Sequence, residues 1–170
     1  MENRRCLFVI FLSVIALAFA AQAWAETHVS ENISVDTTWT LLESPFILDN
    51  TITVQNPSEQ VILTIEAGVE VRFIDSAQNI SLGTGAVLDV QGTEEDPVLF
   101  TTENEDKTLT GQWGGVLFQA GSNTSDSTIT WAIFECGGSA ASPNGAMLYI
   151  DTGSPVITHT TFRYSLNHGI

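Results

Sequence analysis

Two stretches of this chain repeat each other at offsets that differ by four residues. Residues 115–122 align with residues 147–154 at an offset of 32, and residues 129–135 align with residues 157–163 at an offset of 28. The difference is absorbed around Asn123-Thr124-Ser125-Asp126. Conserving strands while a turn changes length is what a solenoid does, because stacked strands are fixed by their neighbours and turns project freely. A repeat of this kind constrains the fold more than any composition value. It predicts a right-handed parallel β-helix of about five coils, an all-β fold.

The rest of the chain fits that expectation. Past Trp39, short β-branched and aromatic runs recur at 46–48, 51–54, 61–65, 69–74, 86–90, 98–102, 116–119, 127–134, 147–150 and 156–162, separated by Gly, Asn, Asp and Pro. Helical periodicity is missing. Within the runs, apolar residues alternate with Thr, Glu, Asp or Arg, which gives each strand one core face and one solvent face. Residues 63–71 and then 80–90 share this grammar, with Gly68 and Gly85, 17 apart, in tight bends between strands. Glycine suits such bends because they often require positive φ. A meander of antiparallel hairpins is the rival architecture and predicts two-residue Asn-Gly or Asp-Gly turns. The one such pair, Asn144-Gly145, lies in a loose Gly/Ser/Pro-rich stretch. If the repeat is a coil, Ile129, Ile133 and Phe134 stack on the next coil's Ile157 and Phe162.

Export is the expectation for the N-terminus. Arg4 and Arg5 precede an apolar run from Cys6 to Ala21 that ends in Ala23-Trp24-Ala25, the small-x-small pattern of a signal-peptidase site. The run is shorter than the ~20 residues of a membrane span. Residues 1–25 therefore read as a cleaved signal peptide, residues 26–38 as a lead-in and residues 39–170 as a β-helix domain that is expected to be incomplete at residue 170, truncated at its C-terminal end. The destination is extracellular, cell-surface or periplasmic. Without residues 1–25, three basic residues (Arg72, Lys107, Arg163) face 19 acidic ones, a net charge of −16. Such a chain repels nucleic-acid phosphates and anionic membrane surfaces. Its charge keeps strands soluble and blunts sheet-to-sheet association. One cysteine, Cys136, remains, so no internal disulfide forms, and its setting reads as that of a buried small hydrophobe rather than a reactive thiol.

Residues 39–52 with Ser44-Pro45-Phe46-Ile47-Leu48 inside them, then LTIEAGVEVRF, GAVLDVQGTEEDPVLFTT and GQWGGVLF, resemble secreted bacterial β-helix proteins of the pectin-lyase-like superfamily, in their N-terminal portion. The resemblance spans residues 39–118 and continues more loosely to Ile170. It implies the fold; by itself it carries no mechanism. Enzymes of that superfamily are polysaccharide lyases, which use Arg or Lys with carboxylate-held Ca²⁺, and hydrolases with Asn-Thr-Asp, Asp-Asp and Gly-His-Gly motifs.

Those motifs are poorly represented. Arg72 and Arg163 are expected four coils apart, roughly 19 Å at the inter-strand spacing, too far to act on one sugar. The chain has no Asp-Asp pair, and Asn167-His168-Gly169 echoes the histidine motif without its carboxylate partners. His28, His159 and His168 lack metal-ligand spacing. Ca²⁺ is the only candidate ion, through Glu94-Glu95-Asp96 and Glu103-Asn104-Glu105-Asp106, but the strand between them holds these runs roughly 20 Å apart, as two solvated turns. Trp39, Trp113 and Trp131 would form a sugar platform only if they faced outward. Trp113, opening a coil in Gln112-Trp113-Gly114-Gly115, reads as a packing residue. Trp131, aligned with His159, reads as outward-facing.

No catalytic, cofactor or metal site is therefore assigned. The expected function is a non-enzymatic secreted or surface scaffold contributing to adhesion or glycan contact. The alternatives are the N-terminal part of a carbohydrate-active enzyme with its catalytic coils beyond residue 170, and a structural stalk. Expected partners are an extracellular glycan or surface molecule and further coils of the same chain, because His168-Gly169 reads as the opening of another coil and no cap follows Phe162.

Overall fold

The computed structural model describes residues 26–170; the expected signal peptide lies outside the described residues. Among the described residues, fifteen strands run in parallel in three sheets. Sheet A stacks β1 (Thr27–Val29), β3 (Phe46–Leu48), β6 (Glu70–Phe73), β9 (Val98–Thr102), β12 (Ala132–Glu135) and β15 (Thr161–Arg163). Sheet B stacks β4 (Ile52–Val54), β7 (Ile80–Leu82), β10 (Val116–Phe118) and β13 (Leu148–Ile150). Sheet C stacks β2 (Thr37–Trp39), β5 (Val61–Glu66), β8 (Ala86–Gln91), β11 (Thr128–Thr130) and β14 (Val156–Thr158). The chain passes A to B to C and returns to A one step higher, which is a parallel β-solenoid of about five coils.

The repeat sets the register. Val116 pairs with Leu148 at the 32-residue offset, and Ile129 with Ile157 at the 28-residue offset. The variable turn at residues 124–126 is a short 3-10 turn, outside every strand. Like residues consequently stack. Inside sheet A, Val71, Phe100, Phe134 and Phe162 follow one another from coil to coil. Phe100 and Phe134 stack at 4.5 Å, and Phe134 and Phe162 at 5.1 Å. Sheet B contributes Ile52, Ile80, Val116 and Leu148, and sheet C contributes Ile65, Val90, Ile129 and Ile157. Most of these side chains are fully buried in one continuous core. That continuity replaces disulfides in holding the fold.

Several expectations are revised. Residues 26–38 are already coil: β1 pairs with β3, Ile33 bridges to Val54, and β2 pairs with β5. Residues 63–71 and 80–90 are successive sides of coils, not repeats of each other. The true partners β5 and β8 are offset by 25, as in Leu63 with Leu88. Gly68 (φ 75°) turns the C-to-A corner and Gly85 (φ 74°) the B-to-C corner. The runs 127–134 and 156–162 are each two strands in different sheets, divided at Trp131 (φ 49°) and His159 (φ 51°). A one- or two-residue corner at a non-glycine carries no sequence signal, because αL is uncommon for such residues. Ile133 is outward-facing on β12 and only half-buried, so it is not among the stacked core residues.

Candidate functional site

The outer face of sheet A gathers the charged residues that the sequence singled out. One register column runs His28, Ile47, Arg72 and Thr101, and continues through Glu135 to Arg163. Arg72 and Arg163 are therefore three strand steps apart, about 14 Å rather than 19 Å. The closer spacing does not free them. Arg72 Nη2 donates to Glu70 at 2.9 Å, and its Nη1 donates to Glu103 at 3.4 Å and lies 4.0 Å from Glu26. The hydrogen bond to Glu70, more than the neighbouring charges, pushes the Arg72 guanidinium further towards permanent protonation. Its Nε is buried without a partner.

Glu135 is the residue that sequence reasoning overlooked. It points outward from β12 yet is 3% exposed. Its Oε1 accepts from Thr101 Oγ1 at 2.8 Å, and its Oε2 accepts from Arg163 Nε at 2.7 Å. Arg163 Nη2 approaches the same oxygen at 2.5 Å. The forked donation satisfies a buried carboxylate, which would otherwise be costly to desolvate. The signal for this pair was present, since the 28-residue offset places Glu135 beside Arg163. Lys107, in the long turn after β9, donates its Nζ to the Thr102 carbonyl. The same turn accepts the Cys136 thiol at the Lys107 carbonyl, 3.0 Å away. Burial, and secondarily Glu135, pushes that thiol up to about 11. A thiol so placed is a packing group rather than a nucleophile.

The tryptophans separate into two kinds. Trp39 is buried and stacks on Phe46 at 4.8 Å. Trp113 is buried between Phe73 (4.1 Å) and Phe134 (6.5 Å), with Nε1 donating to the Glu135 carbonyl at 2.8 Å. The three-tryptophan platform is thus not assembled. Trp131 is half-buried at the C-to-A corner and stacks on the exposed His159, with centroids 4.2 Å apart and planes 13° from parallel. Beside it Thr158 Oγ1 donates to Thr130 Oγ1 at 3.3 Å. Gly92 lies one coil below, where a Cβ would come within 2.0 Å of the Trp131 carbonyl. A glycine is required there by that close approach.

The remaining candidates stay apart. Residues 94–96 and 103–106 occupy exposed turns at opposite ends of β9. Asp106 is engaged by the Thr108 hydroxyl (2.6 Å) and amide (3.0 Å), which hold its carboxyl below the ordinary range. His168 continues the ladder above Ala146 and lines a shallow cavity of about 380 Å³ with Asn144, Tyr149 and Ile170. His28 lies 2.8 Å from Asp49, and that hydrogen bond raises its pKa.

Three parallel sheets wound around one apolar core, with polar columns outside, define a parallel β-helix protein. The sequence model of the pectate-lyase-like β-helix domain matches residues 32–153, and the chain belongs to that family. No curated protein and no solved structure matches it.

Proposed function

We propose that this chain is a non-enzymatic exported scaffold, working outside the cytoplasm, whose outer faces contact glycans. The observation that carries the reading is the engagement of its cations. Arg72, Lys107 and Arg163, the three cationic side chains of residues 26–170, are each engaged by oxygens of the chain itself: Arg72 by Glu70 on its own strand and Glu103 of the next coil, Lys107 by the Thr102 carbonyl, and Arg163 by Glu135 of the neighbouring coil. A lyase base or a substrate clamp needs such a group presented to the ligand. Glycan contact is supported by the outward Trp131–His159 stack beside the Thr130–Thr158 pair, an aromatic surface next to hydroxyls. Export is supported by the signal-like residues 1–25. No helix among the described residues is long and apolar enough to cross a membrane.

Incubation with neutral and acidic polysaccharides tests the scaffold reading by assaying new reducing ends and unsaturated products. The expected result is no product. Product formation that disappears in Arg72→Ala or Arg163→Ala would overturn it.

A further inference from the structure

A strand in a parallel sheet can slip by two residues and keep every side chain on its own face. In-out alternation forbids odd slips alone; an even slip is rejected only by how well the facing residues match. For β15 on β12 the core match is ambiguous. In the observed register Phe162 lies over Phe134. A slip of two places Phe162 over Ala132 and Tyr164 over Phe134, again an aromatic ring above a phenylalanine. It also releases Tyr164 from the left-handed conformation it holds (φ 55°), which is uncommon for such a residue. The opposite slip sets Thr160 over Phe134 and loses the ring contact. One alternative alignment is therefore open to the core.

The corner before β15 tolerates that slip. C-to-A corners hold six residues after β8 (92–97), one after β11 (Trp131) and two after β14 (His159 and Thr160). Two further residues at the last corner stay within this range.

The outer face is not ambiguous. Glu135 faces outward, yet it is 3% exposed and its two oxygens are taken by different coils. Oε1 accepts from Thr101 Oγ1 on β9 at 2.8 Å, and Oε2 accepts from Arg163 Nε on β15 at 2.7 Å. The slipped alignment sets Arg163 opposite Ile133 and Ser165 opposite Glu135. The buried carboxylate then loses the guanidinium that offsets its desolvation. Arg163 is half-exposed and reaches water in either alignment, so the penalty falls on Glu135. Buried ion pairs add little net stability over apolar groups of similar volume, and their best-attested use is to fix alignment. We propose that the Thr101–Glu135–Arg163 column is a register key, which selects one alignment of β15 on β12 from the two that the core accepts. This role is independent of glycan contact.

Moving the key tests it. In Ile133→Glu with Glu135→Leu, the carboxylate stands two residues earlier on β12 and still faces outward. NMR of residues 26–170 at low salt, where the net charge of −16 keeps chains apart, reads the alignment from the ring contact of Phe134 with Phe162 or with Tyr164. The native chain should show the Phe162 contact and one set of β15 signals. The moved-key variant should show the Tyr164 contact in most molecules. Glu135→Leu with Arg163→Met removes the pair and leaves apolar groups of similar size. It should fold and show both sets, the slipped one in at least about a tenth of molecules. Absence of the Tyr164 contact from the moved-key variant would overturn the proposal, whether the Phe162 contact persists or the β15 signals are lost. A single Phe162 set in Glu135→Leu with Arg163→Met would overturn it as well, because the core then sets the register unaided. Loss of the β15 signals there would do the same, since the pair is then a clasp that holds the strand and not a key that places it.

Discussion

Phe134 and Phe162 hold the same position in successive coils and differ in what lies on their far side. Phe134 is fully buried, between Phe100 below and Phe162 above. Phe162 is half-buried, since Phe134 covers one face and solvent reaches the other. Phe134→Ala should therefore cost ~3–5 kcal/mol, the range for a buried aromatic, and Phe162→Ala less than half of that. Urea unfolding of both variants checks this, and equal losses would mean that the end of the core is better covered than its exposure indicates. Cys136 makes a second prediction at this scale. Its thiol is held at about 11 in the fold by burial, above its ordinary value of 9.0. The unfolded chain therefore releases that proton first, and the native state is left holding it as pH rises. The associated stability is fully present below about pH 8.5–9 and declines as pH climbs to about 11, by up to ~2–3 kcal/mol. Denaturation midpoints of wild type and Cys136→Ala between pH 8 and 11 isolate this part. If the two lose stability in parallel, the thiol is not the group responsible.

Corners, rather than strands, decide how the elements fit together. At the A-to-B corner Asn79 is buried, accepts from the Gly115 amide at 2.9 Å and donates to the Ala77 carbonyl at 3.1 Å. A Cβ on Gly114 would come within 1.9 Å of Asn79 Oδ1. Gly114→Ala should cost more than about 2 kcal/mol, and Asn79→Ala about 1–3 kcal/mol from the backbone groups it orphans. The double variant should cost less than the sum, because removing Asn79 makes room for the new methyl. Additive losses in a double-mutant cycle would show that the two are not in contact. This corner also marks the limit of what the sequence discloses. Strands such as Phe46–Leu48 and Val98–Thr102 were legible to the residue from β-branched and aromatic runs, whereas the offsets of 32 and 28 fixed partners only for β10 with β13, β11 with β14 and β12 with β15. The turn at Trp131 was not legible, because a tryptophan in αL resembles one more strand residue. Ile133 was misplaced by that same hidden turn, which resets the in-out alternation between β11 and β12. The charged cluster on sheet A was illegible for a different reason. Glu26 and Glu103 reach Arg72 from other coils and are brought to it only by stacking.

At the scale of the whole molecule, the same stacking leaves strand edges. At the top, His168–Gly169 continues sheet B over β13, through the Ala146–His168 bridge and the Leu148 amide bonded to the Gly169 carbonyl. Among the described residues β14 and β15 each pair on one side alone. Their surroundings are apolar: Val156 is 54% exposed, Leu166 51% and Ile170 62%. At the bottom β1 and β2 likewise pair on one side, next to Leu42 at 78%. An unpaired edge is a template for another chain, and solenoids normally shield it with a polar cap. What opposes association is the net charge of −16, whose repulsion weakens as salt shortens the Debye length from about 10 Å at 0.1 M to about 3 Å at 1 M. A protein of residues 26–170 is therefore predicted to associate through its coil ends, more strongly in high salt. A lysine in the top edge, Val156→Lys, should reduce this, and extending the chain with further coils or a polar cap should reduce it more. Sedimentation velocity at low and high salt decides the matter. An ideal monomer at both, at concentrations on the order of tens of micromolar, where exposed edges ordinarily aggregate, would mean that these ends shield themselves and that β14 and β15 are not sticky. Association that high salt weakens would place the contact on charged faces of the rod instead of its ends.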